Sequence, residues 1–186
     1  MAAHGHGALD PGASAAQPAL KPRVALARPS ARDSSEFLAA VHRSRRLHGR
    51  WVAAPATPSR FRAYLRRSRR PTQSAYLIRL RDSGELAGVV NVSEIVRGSF
   101  QSAYLGYYAF APHHGQGLMA EGLRLVMRDA FQRLKLHRLE AAVQPGNRAS
   151  RALVRSLGFR HEGYSPRYLK IAGRWRDHER WAITKD

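Results

Sequence analysis

Residues 110–119, Phe-Ala-Pro-His-His-Gly-Gln-Gly-Leu-Met, join a tyrosine-rich apolar stretch to a long amphipathic one. His114, Gly115, Gln116 and Gly117 stand where the amphipathic stretch must begin its helix. Glycine there lets the backbone come close to a ligand, and the first N–H groups of a helix have no internal partner. With the positive end of the helix dipole, those groups make an anion site suited to a pyrophosphate. The same Gly-x-Gly spacing also serves as a plain tight turn. It lacks the Lys-Ser/Thr ending of a P-loop and the Gly-x-Gly-x-x-Gly spacing of a dinucleotide-binding turn. A second polar cluster, Asn147-x-x-Ser150, follows downstream and leads into Leu157-Gly158-Phe159.

Other chemistries are closed off. The chain has no cysteine, which removes disulfides, thiolate-ligated zinc, iron–sulfur clusters and a cysteine nucleophile, and fits a reducing compartment. His4 and His6 lie in a Gly-rich tail, which reads as solvated rather than as a metal centre, so no metal is expected. No run of about 18 apolar residues is present, so no membrane span is expected. The first residues lack the basic and apolar regions of a secretory signal. The expectation is a cytoplasmic protein.

Positioning the two polar clusters takes a scaffold, and 186 residues suit one domain. It is expected over 23–186, after a tail at 1–22 with no hydrophobic period, read as disordered. Val24–Ala27 reads as a first strand. Asp33 or Ser34 caps a helix that turns Phe37, Val41 and Leu47 inward and stops at Gly49. Thr57-Pro58 opens a second helix with Phe61, Tyr64 and Leu65 on one face. The period then falls to two, with strands over 75–80, 86–95 and 102–110 and turns at 82–85 and 97–99. Met119, Leu123, Val126, Met127, Ala130, Phe131 and Leu134 have the spacing of a helix over 117–134. A strand over 137–143, a helix over 147–157, a strand starting at Gly158-Phe159 and a hairpin about Ala172-Gly173-Arg174 follow. The order β-α-α-β-β-β-α-β-α-β-β predicts a mixed α/β fold, a mixed sheet with helices on its faces.

Charge is unevenly spread. Lys and Arg number 32 against 13 Asp and Glu, a net +19. Between Phe37 and Arg81 there are twelve arginines and no acid, with Arg62, Arg66, Arg69 and Arg70 at helical spacing. Such a block is either a solvated face or a surface that meets something anionic, a phosphate-bearing cofactor or RNA.

Together the two polar clusters resemble the acetyl-CoA site of the GCN5-related N-acetyltransferase (GNAT) superfamily. The first is similar to its Gln/Arg-x-x-Gly-x-Gly/Ala pyrophosphate loop, the second to its asparagine-bearing helix closed by Gly-Phe. The resemblance covers about 24–184 and is closest to the Rim type, which acts on ribosomal-protein alanine N-termini. Tyr104-Leu-Gly-Tyr107, Gly115-Gln-Gly-Leu-Met119, Leu136-His-Arg138, Glu162-Gly-Tyr164 and Gly173-Arg-Trp-Arg-Asp-His178 carry that closer match. There are departures. His114 stands where Gln or Arg is usual, Met119 where Gly or Ala is usual outside the Rim type, and Val154 where many members place a tyrosine acid.

The resemblance implies a twisted mixed sheet of about seven strands, splayed between the fourth and fifth. It implies acetyl-CoA as co-substrate. His114, Gly115, Gln116, Gly117, Leu118 and Met119 would hold the pyrophosphate, Asn147 would assist, and the pantetheine arm would pair with the fourth strand near Phe110. The reaction implied is direct attack of a primary amine on the thioester, above all the N-terminal α-amine of a protein such as a ribosomal protein. A backbone N–H on the strand over 102–110 would face the oxyanion. Since Val154 carries no proton to give, Ser150 is the implied acid, directly or through a water held with Asn147. Glu94 is the first candidate for the base, then Glu140, then a chain of waters.

Asp177-His178 either lines the substrate groove or forms a salt bridge in the hairpin. Tyr104, Tyr107, Tyr108, Tyr164 and Tyr168 are read as core and cleft packing rather than a nucleic-acid stacking surface. The arginine block would meet ribosomal RNA beside the cleft. Two other functions stay open: acetylation of a small-molecule amine, and a non-catalytic acyl-CoA-binding, ribosome-associated module.

Overall fold

Alternating side chains build the sheet and both of its faces at once. The computed structural model describes residues 21–185; the expected tail, with His4 and His6, lies outside them save for Lys21 and Pro22. The strands are β1 Val24–Ala27, β2 Ser74–Leu80, β3 Leu86–Val96, β4 Ser102–Ala109, β5 Arg138–Val143, β6 Arg160–Ile171 and β7 Arg174–Thr184. The helices are α1 Ser34–Arg43, α2 Arg45–His48, α3 Pro58–Ser68, α4 Leu118–Gln132 and α5 Arg148–Ser156. The strands form one sheet in the order β1-β2-β3-β4-β5-β7-β6, antiparallel throughout except at β4–β5. It is the mixed sheet, with helices on both faces, that the pattern predicts.

Successive strand residues point to opposite faces, and the two cores divide accordingly. On one side Leu77 and Val89 pack with Phe37, Phe61, Tyr64 and Leu65 of α1 and α3. On the other, Ile78, Val90 and Val92 meet Leu123, Val126 and Ala130 of α4. Thr57 caps α3, its side chain accepting from Arg60 N–H at 3.3 Å, with Pro58 at the first helical position. The first helix breaks at Ser44 rather than running on to Gly49. The Ser44 side chain is fully buried and accepts from Ala111 N–H at 2.9 Å; α2 follows as a separate turn.

One pairing is incomplete. β4 and β5 pair only at Ser102↔Arg138, Ala103↔Leu139 and Tyr104↔Glu140. Beyond that point β4 stays with β3 as far as Ala109↔Gly88, while β5 stays with β7 as far as Val143↔Glu179. Each strand follows its outer neighbour, so the two diverge and a wedge opens in the sheet. No helix among the described residues is long and apolar enough to cross a membrane.

Candidate active site

The wedge leads into two clefts that share a floor. One, about 510 Å³, reaches the N-terminus of α4 and is lined by His114, Gly115, Gly117, Leu118 and Met119. The other, about 600 Å³, is lined by Glu94, Tyr104, Tyr168 and His178. Trp51, Tyr107, Tyr108, Asn147 and Ser150 line both.

Gly117 precedes α4 at φ +79°, and Gly115 sits at +77°, where a side chain with a Cβ is strained. The loop is braced by the residue just before β1. Arg23 Nη2 donates to Gln116 O at 2.8 Å, while its Nε and backbone N–H donate to the Glu121 carboxylate at 2.7 and 2.8 Å. The Gln116 amide turns back to donate to Pro112 O at 3.3 Å, so this residue serves the loop's own shape. His114 is exposed at the cleft edge. The Met119 thioether packs where any Cβ on Gly88 would stand, which is why β3 carries glycine there.

Phe110 offers the cleft no side chain. Its ring is fully buried beside Phe37, and its N–H donates to Ala87 O at 2.8 Å. Antiparallel alternation from that bond turns the N–H groups of Tyr107 and Ala109 away from β3, beyond the last β4–β5 pair. Those two amides face the wedge. His48 closes its lower side, with Nε2 donating to Ala109 O at 2.9 Å; burial holds this imidazole below its usual pKa, hence neutral.

At the shared floor, Asn147 caps α5, its Oδ1 accepting from Ser150 N–H at 3.1 Å. The Ser150 hydroxyl lies 2.7 Å from that of Tyr107. Burial pushes the Tyr107 phenol up to about 12, so it keeps its proton at neutral pH. Val154 is buried on α5. Tyr108 adds a buried hydroxyl with no partner among the described residues. The left-handed glycines ahead of the free N–H groups of α4 fit a polar, phosphate-bearing ligand.

On the far side β3 bulges between Ser93 and Val96, with Glu94 at φ +50°. Backbone in that region is uncommon for residues other than glycine and recurs at functional sites. Gln73 Nε2 donates to Glu94 Oε1 at 3.3 Å. Glu140 is taken by Arg138 at 3.0 Å, and His113 pairs with Glu85 at 3.1 Å. Among the described residues only Asp82, Glu94 and Asp177 stand outside the ion pairs, and of these Glu94 lines the cleft.

Asp177 and His178 divide their tasks. Asp177 accepts from the Tyr164 hydroxyl and Arg167 N–H inside the hairpin. His178 is buried against the groove, its Nδ1 donating to Arg176 O at 2.9 Å. Burial lowers its pKa, and the neutral ring keeps Nε2 as an acceptor. Tyr104 and Tyr168 join hydroxyls at 3.1 Å beside it. No cluster of three or more metal-ligating side chains occurs among the described residues.

Of the sequence-predicted residues, the structure gathers Asn147, Ser150, Glu94 and the glycine loop around the two clefts. Arg23, Tyr107 and His48 escape the sequence reading as site residues. Arg23 carries no local signal, and only the alternation of β4 hints at Tyr107.

Comparison with known proteins points the same way. A model of the acetyltransferase (GNAT) domain matches residues 23–160. The ribosomal protein uS5-alanine N-acetyltransferase of Escherichia coli (strain K12) is 44% identical over 103 residues, 55% of this chain and 53% of that protein. The chain thus spans about half the length of the curated relatives it matches. Mycobacterium smegmatis RimJ, solved in complex with CoA-disulfide, superposes with TM-score 0.76 at 28% identity, covering 87% of this chain and 81% of that one. Ribosomal-protein-S5-alanine acetyltransferase from Vibrio fischeri shares the fold, with TM-score 0.78 at 23% identity over 88% of this chain and 94% of that one. The family match runs from the residue before β1 to the first residue of β6, and the chain belongs to the GNAT acetyltransferase family.

Proposed function

We propose that the chain transfers an acetyl group from acetyl-CoA to the N-terminal α-amine of a protein, a ribosomal protein above all. The observation that carries this reading is the meeting of the two clefts at Tyr107, Asn147 and Ser150. A donor entering past Gly117 and an acceptor entering past Glu94 come together there.

Acetyl-CoA supplies an activated acyl carbonyl and a thiolate leaving group. The loop 114–119 offers its backbone to the pyrophosphate, and the wedge edge of β4 offers the pantetheine arm a strand to pair with. The Tyr107 and Ala109 amides face the charge that develops on the acyl oxygen. Glu94 takes the proton that the acceptor ammonium must lose to become a nucleophile. Ser150 gives a proton to the departing sulfur and recovers one from solvent, its hydroxyl oriented by Tyr107. The reaction belongs to the cytoplasm, where acetyl-CoA and newly made proteins meet.

A polycationic amine would need several carboxylates in its groove, and among the described residues Glu94 is the one that lines it. A peptide N-terminus brings a single cation. Release of free coenzyme A, measured with a panel of N-terminal peptides and with spermidine, tests the reading. Turnover with an alanine- or serine-initiated peptide is expected. Turnover confined to the polyamine would replace the acceptor, and none with any amine would leave an acyl-CoA-binding module.

A further inference from the structure

The arginine block between α1 and β2 has no use in this chemistry. Arg43, Arg45, Arg46 and Arg50, on and after α1 and α2, are exposed, as are Arg60, Arg62, Arg66, Arg67, Arg69 and Arg70 on and after α3. The arginines that form ion pairs among the described residues are Arg23, Arg79, Arg133, Arg138 and Arg151, all outside this set. Arg62 and Arg66 stand one turn apart on α3, and Arg69 and Arg70 follow directly after its last residue, Ser68. Like charges at that spacing oppose the helix that carries them. Among the described residues no carboxylate pairs with these arginines.

The block also sits where it matters. Arg67 lines a side groove with Asn91, Ser93, Glu94 and Gly106, and the same four residues line the acceptor cleft. From α2, Trp51 and Val52 continue directly into that cleft. The arginine face therefore borders the mouth through which the acceptor enters. A cationic peptide approaching alone is repelled by it.

We infer that this face docks on structured RNA, holding phosphates with the α3 arginines while the amine to be acetylated enters the neighbouring cleft. This rests on the proposed protein acceptor, and it explains how a basic substrate reaches a basic enzyme: RNA around the substrate supplies the attraction. Arginine's planar fork suits phosphate, and sequence-independent binding needs no more than such contacts. A membrane surface is a poorer match. An interfacial helix inserts an apolar face, whereas Phe61, Tyr64 and Leu65 of α3 are buried in the core. The exposed large apolar side chains, Val96, Phe100, Tyr164, Leu169 and Trp175, lie on the β3–β4 turn and the β6–β7 hairpin instead.

The test is fluorescence anisotropy of the full chain with a labelled RNA stem-loop of about 20 base pairs, at about 50 and 200 mM salt. Four phosphate contacts predict an affinity drop of about 10²-fold between those conditions. Arg62/Arg66/Arg69/Arg70→Ala should weaken binding by more than about tenfold at the lower salt and flatten the salt slope, while the four Arg→Lys changes keep most of both. Arg124/Arg128/Arg160/Arg174→Ala, which removes the same charge from exposed positions elsewhere, should bind nearly as the parent does. Absent binding at low salt, equal loss in the two alanine variants, or tighter binding to vesicles of anionic lipid than to the RNA overturns the inference. Coenzyme A release with a short free peptide is measured beside it. That rate reports the acetyltransferase reading and should not fall in the α3 variant.

Discussion

The Tyr107 hydroxyl lies 2.7 Å from the Ser150 hydroxyl, across the seam between β4 and α5. Tyr107 comes from the strand that carries the two wedge-facing amides, and Ser150 from the first turn of a helix capped by Asn147. In the proposed reaction, that one hydrogen bond sets the Ser150 hydroxyl relative to the amides that would face the acyl oxygen.

Ser150→Ala should lower kcat by about 10²-fold, the low end for loss of a general acid, with acetyl-CoA affinity little changed. Tyr107→Phe should cost about tenfold, since Ser150 keeps its proton but loses its orientation. In the double variant the second change should add little, because the two act as a unit. Single-turnover rates decide this. Additive losses, or a full-rate Ser150→Ala enzyme, would move proton donation to water.

Gly117→Val should weaken coenzyme A binding by over about tenfold, because left-handed backbone costs a branched residue on the order of 1–3 kcal/mol and the loop would have to refold. A Cβ there would also stand 3.4 Å from Arg23 Nη2. Arg23→Ala should weaken binding less, by removing the brace on Gln116 O. Calorimetry on variants with unchanged melting curves is the measurement. Parent-like affinity in Gly117→Val would place the pyrophosphate elsewhere.

Glu94→Gln keeps the size of the side chain and the bond from Gln73 but not the proton acceptor. It should reduce kcat by about 10²-fold. An unaltered kcat would pass the base role to His178 Nε2 or to water, and His178→Gln distinguishes those two.

Acid should destabilise the fold through its buried imidazoles. His48 and His178 are held below their ordinary value of 6.5, chiefly by burial. Unfolded, each takes up a proton as the pH falls through that value; folded, each resists until lower pH. Below 6.5 the unfolded chain binds more protons, so the stability these groups contribute is complete above that point and is lost as the pH drops through their folded values. Urea midpoints between about pH 7.5 and 5 should decline, and His48→Gln, which can still donate to Ala109 O, should decline less. A slope indifferent to both histidines would assign the acid limb to carboxylates such as Asp129.

The loop and the sheet are legible in the sequence for local reasons. Two glycines before a 3.6-period run announce a close-approach turn, and period-two stretches broken by turn residues announce the hairpins. What escapes depends on register. Whether β3 ends or bulges at Glu94 is decided by its pairing with β4. Whether Tyr107 meets Ser150 depends on how far β4 and β5 diverge. Arg23 braces Gln116 across 93 positions of chain, and no local pattern encodes such a contact. Phe110 shows the converse. Its place in the motif marks the right strand, yet its ring belongs to the core beneath α1 and α3.

The scarcity of carboxylates has a consequence for the folded state itself. Eight of the eleven acids in the described chain are already taken by an arginine or a histidine, so most of the positive charge left over can only repel itself when the chain compacts. Such self-repulsion erodes the stability of the compact form, and mobile ions relieve it as the Debye length shrinks from about 30 Å at 0.01 M salt to about 10 Å at 0.1 M. The protein should therefore melt higher as salt is added, opposite in sign to its grip on a polyanion. In the RNA-docked state inferred above, the polyanion itself would take over that relief at low salt. Whatever phosphate surface the helices rest on becomes part of what holds them folded.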